Sequence, residues 1–241
     1  MEIDYSVVVP AYNESAWIGA TLESIRTAMA ALPLRGEIIV TDNNSSDDTA
    51  EIARSHGARV VVEPVNQISR ARNAGARAAQ GRYLVFVDAD TLITPALLQL
   101  ALDNLASGRC IGGGAVVQFE HEIGRMVNLV VALWNLISRT LRLAAGCFFY
   151  CSRDAFYQAG GFSEQVYASE EIWLSRKLRK IGIGQRKRFC VIHQYPAQSS
   201  GRKLVWYSTW RQIGLLLMVT FAPVFVRYKR FCGYWYDRPD R

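Results

Sequence analysis

Over the first hundred positions, short apolar runs alternate with stretches of helical periodicity. Tyr5–Pro10 (YSVVVP), Glu37–Thr41 (EIIVT), Arg59–Glu63 (RVVVE) and Tyr83–Val87 (YLVFV) are rich in β-branched or aromatic residues and read as buried strands. Between them Trp17, Ile18, Leu22 and Ile25 recur on one helical face, with Asn13 and Ser15 as candidate caps. Thr49–His56 reads as a short helix ended by Gly57, and Ser69–Ala79 as an alanine-rich helix ended by Gly81. Pro95–Ala106 opens on proline, which suits a first helical turn. This alternation with short links predicts a parallel sheet covered on both faces.

The second half is less regular. Gly112–Gly114 precede a predicted strand over Ala115–Phe119, and a second is expected over Phe148–Cys151. Gly160-Gly161-Phe162 marks a turn. Ser169–Ile181 reads as a capped helix with Ile172, Leu174, Leu178 and Ile181 on its apolar side, and Phe189–His193 as a strand. Met126–Leu143 is a long apolar stretch broken by Asn128, Asn135, Ser138, Arg139 and Arg142; it reads as a buried helix, with a surface-seeking element as the alternative. No linker rich in Pro, Gly or Ser separates the halves, which favours one compact domain, residues 1–203, with an extension over 204–241.

Composition sharpens this picture at three points. Half of the 241 residues are hydrophobic, enough for a sizeable core and too many for a disordered chain. The net charge of +7 is unevenly spread: residues 1–175 carry 13 basic and 19 acidic side chains (net −6), residues 176–241 carry 15 and 2 (net +13). A basic end mixed with large aromatics, among them Trp206, Trp210, Phe225, Phe231 and Trp235, points to an anionic membrane surface or an acceptor rather than to nucleic acid. Cys110, Cys147, Cys151, Cys190 and Cys232 are odd in number, scattered and without a C-x-x-C pair, so they read as reduced thiols of a cytosolic protein. The start, MEIDYSVVVPAYNE, has neither the basic opening nor the cleavage site of a signal peptide. Ile213–Val226 is uncharged over 14 residues, whereas a spanning helix needs about 20, so a core or interfacial segment is expected.

In open α/β sheets ligands bind beyond the carboxyl ends of the strands. That rule selects Pro10–Glu14, Asp42–Thr49 and Asp88–Thr91, all polar and all fed by apolar strands. Asp88-Ala89-Asp90 places two carboxylates one residue apart in a turn, where they can face one divalent cation; a helix cap with Thr91 and Pro95 is the plainer alternative. Asp42 at a strand tip can bond a ribose hydroxyl or a base imide, while Asp47, Asp48 and Thr49 read as a helix start. Arg70 and Arg72 in SRARNAG have the fork geometry for a diphosphate, or are two exposed arginines on a helix.

VVVPAYNES, EIIVTDNNSSDDT, SRARNAGARAAQGRYLVFVDADT, GGF and SEEIWLSRKL, in that order over roughly residues 4–205, resemble glycosyltransferase family 2. The resemblance implies a GT-A-type fold: a Rossmann-like mixed sheet, mostly parallel, with helices on both faces, here carrying a C-terminal helical extension. It implies a sugar transferred from a nucleotide-diphospho-sugar, with UDP the commonest carrier, to an acceptor hydroxyl with inversion. It further implies a divalent cation, Mn²⁺ or Mg²⁺. Pro10, Ala11, Tyr12 and Glu14 would floor the nucleoside site, Asp42 would meet base or ribose, and Arg72 would lie near the nucleotide. Asp88 and Ala89 would reach the ribose or metal shell, and Asp90 would bind the metal. The family's acidic E-D pair is matched by Glu170-Glu171, with Glu171 as general base and Glu170 as the alternative; the departure adds one methylene. His193 would supply a third metal ligand or be structural. Arg202 and Lys203, in a Ser199–Lys203 loop resembling one in part of the family, would stabilise the leaving diphosphate. Separately from the resemblance, Met126–Ile137 is read as a buried helix flanking the acceptor site, with a surface-seeking element as the alternative. The acceptor itself is left open between a lipid-linked molecule, a glycan and a small metabolite, with a cytoplasmic protein at the inner membrane face as the expected setting.

Two other functional classes compete with this one. A nucleotide-dependent oxidoreductase needs G-x-G-x-x-G after the first strand, and PAYNES stands there instead. A non-catalytic peripheral membrane or nucleotide-binding module of the same fold would owe its binding to the basic end.

Overall fold

A computed structural model describes residues 2–119, 125–202, 214 and 223–233. Its chain order is β1 (Tyr5–Ala11), α1 (Ile18–Ala30), β2 (Gly36–Asp42), α2 (Thr49–Ser55), β3 (Arg59–Val62), α3 (Ile68–Ala78), β4 (Tyr83–Val87), β5 (Thr91–Leu92) and α4 (Pro95–Ala106). There follow β6 (Cys110–Phe119), α5 (Arg125–Leu141), β7 (Phe148–Ser152), α6 (Arg153–Gln158), α7 (Glu170–Gly184) and β8 (Arg188–Ser199). Two 3₁₀ turns, Pro223–Arg227 and Lys229–Phe231, come last. Most of the expected 204–241 extension, including Trp206, Trp210 and Trp235, lies outside the described residues, as do Lys203 and all but a few positions of Ile213–Val226.

The strands form one sheet in the order β3-β2-β1-β4-β7-β6-β8-β5. The β3-β2-β1-β4 half is parallel throughout, as the alternation requires. The other half is mixed: β7 runs antiparallel to both β4 and β6, β8 pairs parallel to β6, and β5 closes the edge antiparallel to β8. The purely parallel sheet expected from the first half thus stops at β4, because β7 enters from the opposite end.

Both faces of the central strands are buried, so each alternate side chain serves a different core. Val7, Val9, Val85 and Val87 pack with Ile18, Leu22, Ile25, Leu97 and Leu98 of α1 and α4. Val8, Leu84 and Phe86 face the other way, onto Phe149, Phe156, Phe162, Leu174 and Leu178. Phe86 lies 5.0 Å from Phe162 and 5.5 Å from Phe156, ring centre to ring centre, so one aromatic cluster ties β4 to α6 and to the turn before α7.

Several local expectations change. The glycines before Ala115 belong to β6 itself: a Cβ on Gly113 would stand 1.8 Å from the Cys190 carbonyl and 2.5 Å from the Tyr150 ring, so only glycine lets β7, β6 and β8 close up. The N-cap position of α1 is Trp17, not Asn13 or Ser15, and it makes no side-chain cap. Thr94 caps α4 by accepting from the Leu97 N–H at 3.2 Å, with Pro95 at the first turn as expected. Ser169 precedes α7 but sits at φ 61° and makes no side-chain cap, so the capped helix read over Ser169–Ile181 is an uncapped Glu170–Gly184. Cys110 and Cys190, on neighbouring strands β6 and β8, are joined in a disulfide. The reading of five reduced thiols is therefore corrected, and the odd count carries no information on compartment; Cys147, Cys151 and Cys232 are the buried free thiols. Among the described residues no helix is long and apolar enough to cross a membrane.

Candidate active site

The carboxyl ends of β1, β2 and β4 open on one side of the sheet, and the loops there are fixed by polar contacts to one another. The Asn13 side-chain oxygen accepts from the Ser46 N–H at 2.7 Å, and the Glu14 N–H donates to Thr49 Oγ1 at 2.7 Å. Asn13 and Asn44 both adopt positive φ, 52° and 66°, as asparagine tolerates better than most residues. Asp42, buried at the tip of β2, accepts from the Ser45 N–H at 3.1 Å. Asp47 rather than Asp48 organises the start of α2: it accepts from the N–H and hydroxyl of Thr49 and from the Ser15 N–H. Burial acts to raise the Asp47 carboxyl, but these bonds outweigh it and hold the group at about 2. Pro10 and Ala11 are buried beneath this surface and Tyr12 is half-buried at it.

The Asp88-Ala89-Asp90 turn is pinned from behind, where Thr21 Oγ1 donates to the Ala89 carbonyl at 2.8 Å. Each of its carboxylates then meets a different arginine. Arg72 Nη2 donates to Asp88 Oδ1 at 2.7 Å and to the Gly146 carbonyl at 2.9 Å, while its Nη1 bonds Glu170. Arg72 is 1% exposed and stacks over the Phe162 ring at 5.3 Å. Burial alone would weaken its charge, but Asp88, Glu170 and Glu171 more than offset that and hold the guanidinium protonated. On the other side Arg202 Nη2 bonds Glu14 Oε1 at 2.5 Å, and its Nε lies 3.4 Å from Asp90 Oδ2. Ser200 Oγ donates to the same Asp90 oxygen at 2.7 Å, and the Arg202 guanidinium lies 5.6 Å from the centre of the Trp17 ring.

The acidic pair opens α7. Glu170 is buried and committed to Arg72. Glu171 is half-buried at the protein surface, and desolvation of its carboxyl, helped by the negative charge of Glu170, pushes it up to about 8 despite the opposing pull of Arg72. The left-handed Ser169 sets the direction of this first turn, a strained position directly before the acidic pair. Cys147, close by, is a poor nucleophile, because burial pushes its thiol far up.

The site therefore brings together Glu14, Asp88, Asp90, Arg72, Glu170, Glu171 and Arg202 from segments far apart in sequence. It does not bring in His193, which is exposed on the irregular part of β8, its N–H donating to the Gln194 side chain. Among the described residues no group of three or more His, Cys, Asp or Glu side chains is placed to hold a metal, so the third ligand expected from His193 is not supplied. Arg70 is likewise not at the diphosphate position: it bonds Glu63 at 3.1 Å and Glu164 at 3.1 Å. Ser200 and Asn73 lie inside motifs noted in the sequence, but sequence reasoning assigns neither a role. Asn73 holds the Gly-Gly-Phe turn by accepting from the Phe162 N–H at 3.0 Å and donating to the Phe162 carbonyl at 2.9 Å. Gly161 must be glycine there, at φ 67° and with any Cβ 2.9 Å from Asn73 Oδ1. A signal exists for both, since Asn73 directly follows Arg72 and Ser200 stands two residues before Arg202.

A divalent cation fits the donor chemistry on two counts. Asp88 and Asp90 offer hard oxygen ligands, and Mg²⁺-type sites are commonly built from one or two carboxylates with substrate phosphate and water completing the shell. The surrounding carboxylates also outnumber Arg72 and Arg202, which leaves negative charge for a cation to offset.

Residues 6–164 match the family model for glycosyl transferase family 2. The chain is 42% identical over 137 residues to an uncharacterised glycosyltransferase of Mycobacterium tuberculosis, covering 56% of this chain and 60% of that protein. It is 35% identical over 103 residues to validoxylamine A glucosyltransferase of Streptomyces hygroscopicus, covering 40% and 24%. The matched segment thus spans under two thirds of these relatives. Among solved structures, a Pyrobaculum calidifontis mannosyltransferase in complex with GDP-Man and Mn²⁺ superposes with a TM-score of 0.65 at 20% identity, over 88% of this chain and 60% of that one. Glucosyl-3-phosphoglycerate synthase of M. tuberculosis, with Mn²⁺, UDP and glucosyl-3-phosphoglycerate, gives 0.62 at 22% identity, over 93% and 80%. These likenesses establish the GT-A-type fold: a mixed, mostly parallel sheet flanked by helices.

Proposed function

The chain belongs to glycosyl transferase family 2, and from that premise we propose that it transfers a sugar from a nucleotide-diphospho-sugar, UDP-linked by preference, to an acceptor hydroxyl with inversion at the anomeric carbon. The observation that carries this reading is the bridging of the Asp88–Asp90 turn to the Glu170-Glu171 pair by Arg72, which bonds Asp88 and Glu170 and leaves Glu171, with its raised carboxyl, unclaimed by that bridge.

In this reading Pro10–Glu14 and Asp42 receive the nucleoside, and Asp90 with Asp88 holds Mn²⁺ or Mg²⁺. The cation, when bound, offsets charge on the departing diphosphate. Glu171 takes the acceptor's hydroxyl proton as the oxygen attacks, and the C–O bond to the nucleotide diphosphate breaks with its electron pair. A base near neutrality suits this proton transfer, being ionised often enough to act and basic enough to hold the proton. Glu170 is the less available of the two, because its side chain is engaged by Arg72. Arg202, beside Glu14 and Asp90, would meet the leaving diphosphate, with Lys203 next to it in sequence.

The test measures donor hydrolysis and nucleotide-diphosphate binding, with Mn²⁺ and with Mg²⁺, across UDP- and GDP-sugars. Wild type should turn over and bind in a metal-dependent way. Asp90→Ala should lose metal-dependent binding, whereas Glu171→Gln should keep binding and lose turnover. Undiminished turnover in Glu171→Gln removes the base assignment, and binding without turnover in wild type would favour a non-catalytic module.

A further inference from the structure

Helix α5 is apolar on two opposite faces. One face packs inward: Val127 and Ser138 are buried, Trp134 rests on the core, and Asn135 brackets Val117 of β6, accepting from its N–H at 3.0 Å and donating to its carbonyl at 2.9 Å. These positions recur at helical spacing. The reverse face should then be polar, as on any helix lying against a core in water. It carries Leu129, Leu133 and Leu136 instead, at 63%, 47% and 60% exposure. This corrects the reading of Met126–Leu143 as a buried helix. The helix has no acidic residue, and exposed Arg139 and Arg142 stand at its C-terminal end.

A second patch has related chemistry. Phe225, Tyr228 and Phe231 are exposed, and the Arg230 guanidinium lies 4.8 Å from the Phe231 ring centre and 5.7 Å from that of Tyr228. Its underside is fixed: Val226 and Cys232 pack on Val166 and Ala168, and the Tyr167 N–H donates to the Val226 carbonyl at 2.7 Å. Both patches attach to segments that flank the acidic pair. A few residues past α5, Gly146 bonds Arg72, and a Cβ there would lie 3.6 Å from the Glu171 carboxyl. Ala168 is two residues before Glu170.

We propose that the leucine face of α5, with the Phe225–Phe231 patch, docks on a lipid bilayer carrying anionic headgroups. Leucines projecting outward from a helix suit acyl chains, and arginines and aromatics on two segments that themselves hold no acidic residue, Arg125–Leu141 and Pro223–Phe231, suit the headgroup layer. The charge of the Phe225–Phe231 patch fits, since it lies in the part of the chain beyond residue 175 where the net positive charge is concentrated. Docking of this kind puts the Glu171 end of the site against the membrane, where a lipid-borne acceptor would be met; that last step rests on the glycosyl-transfer reading, whereas docking does not.

The experiment is co-sedimentation of the full chain, without nucleotide or metal, with vesicles of phosphatidylcholine alone or mixed with phosphatidylglycerol. Wild type is expected to sediment with the mixed vesicles and far less with phosphatidylcholine alone. The combined Leu129→Ser, Leu133→Ser, Leu136→Ser variant should lose sedimentation while keeping the wild-type melting temperature. Should that variant fold poorly, Arg139→Glu with Arg142→Glu should show the same loss on the anionic vesicles. Sedimentation of a folded variant at the wild-type level, or none by wild type, overturns the proposal. So does a concentration-dependent dimer that the leucine variant abolishes, which would give the face to a second copy of the chain. Failure of donor turnover would leave this result standing.

Discussion

Arg72 and Arg202 flank the same acidic turn, yet they are held in different ways. Arg72 comes from the middle of a regular helix, is enclosed by Phe162, and satisfies Asp88, Glu170 and the Gly146 carbonyl together. Arg202 comes from beyond the end of β8 and reaches Glu14 and Asp90 from a half-buried position, its guanidinium near the Trp17 ring. The contacts are similar in kind. The difference lies in what replaces them when they break. Arg72 is closed off from solvent, so each lost bond leaves a buried charge unpaired. Arg202 has solvent within reach, and a cation at Asp90 can take its place. The Arg72 side is therefore framework, and the Arg202 side is exchangeable.

That contrast is broken most directly by removing each arginine. Arg72→Ala strands the Glu170 carboxylate and should cost about 3–5 kcal/mol of stability, read as a large fall in the denaturant midpoint. A fall of under about 1 kcal/mol would show that the Arg72 side is not framework.

The next effect in size is on pH dependence. A carboxyl raised to about 8 is mostly protonated at neutral pH and its ionised, basic fraction grows as pH rises, so kcat/KM should climb with pH and level off above about 8. Arg72→Lys, a less well matched cation, should move this limb upward, whereas Arg202→Ala should leave it in place, because Arg72 is the guanidinium that opposes the rise at Glu171. The linked stability runs in the opposite sense. Folded Glu171 binds its proton more tightly than the unfolded chain does, so its contribution favours folding below the ordinary value of 4.5 and is lost as pH rises toward about 8.

The smallest expected change is at Arg202. Arg202→Ala should cost only about 1–2 kcal/mol of stability. It should also tighten Mn²⁺ binding in the absence of nucleotide, by roughly 10-fold if one competing charge-assisted bond is removed. Isothermal titration with Mn²⁺ reads this directly. Weaker Mn²⁺ binding in the variant would mean that Arg202 supports the metal site instead of competing for it.

Local sequence was enough for the parallel half of the sheet and for three of the site's loops. YLVFV alternates between two cores, so a strand there is buried on both faces, and the D-A-D that follows must emerge at its carboxyl end. Pro95 likewise announced α4. What local sequence could not show was who answers whom. Arg72 and Glu170 are 98 residues apart, and apart from the family resemblance, residue type and spacing do not distinguish Arg72 from Arg70 two positions earlier. Their helical positions differ by two residues, which turns Arg72 inward onto Phe162 and Arg70 outward to Glu63 and Glu164. The disulfide follows the same logic: Cys110 and Cys190 meet only because β6 and β8 are neighbours.

The sequence by itself determined the family, the alternating core and the acidic character of the site, because these depend on residue type and short spacing. Only the tertiary structure decided that Glu170 is tied to Arg72 while Glu171 carries the raised carboxyl, that Asp90 is covered by Arg202, and that the leucines of α5 face outward. Those outcomes depend on burial and on charges brought together across the fold, and an apolar stretch such as α5 carries no mark of which side will find the core.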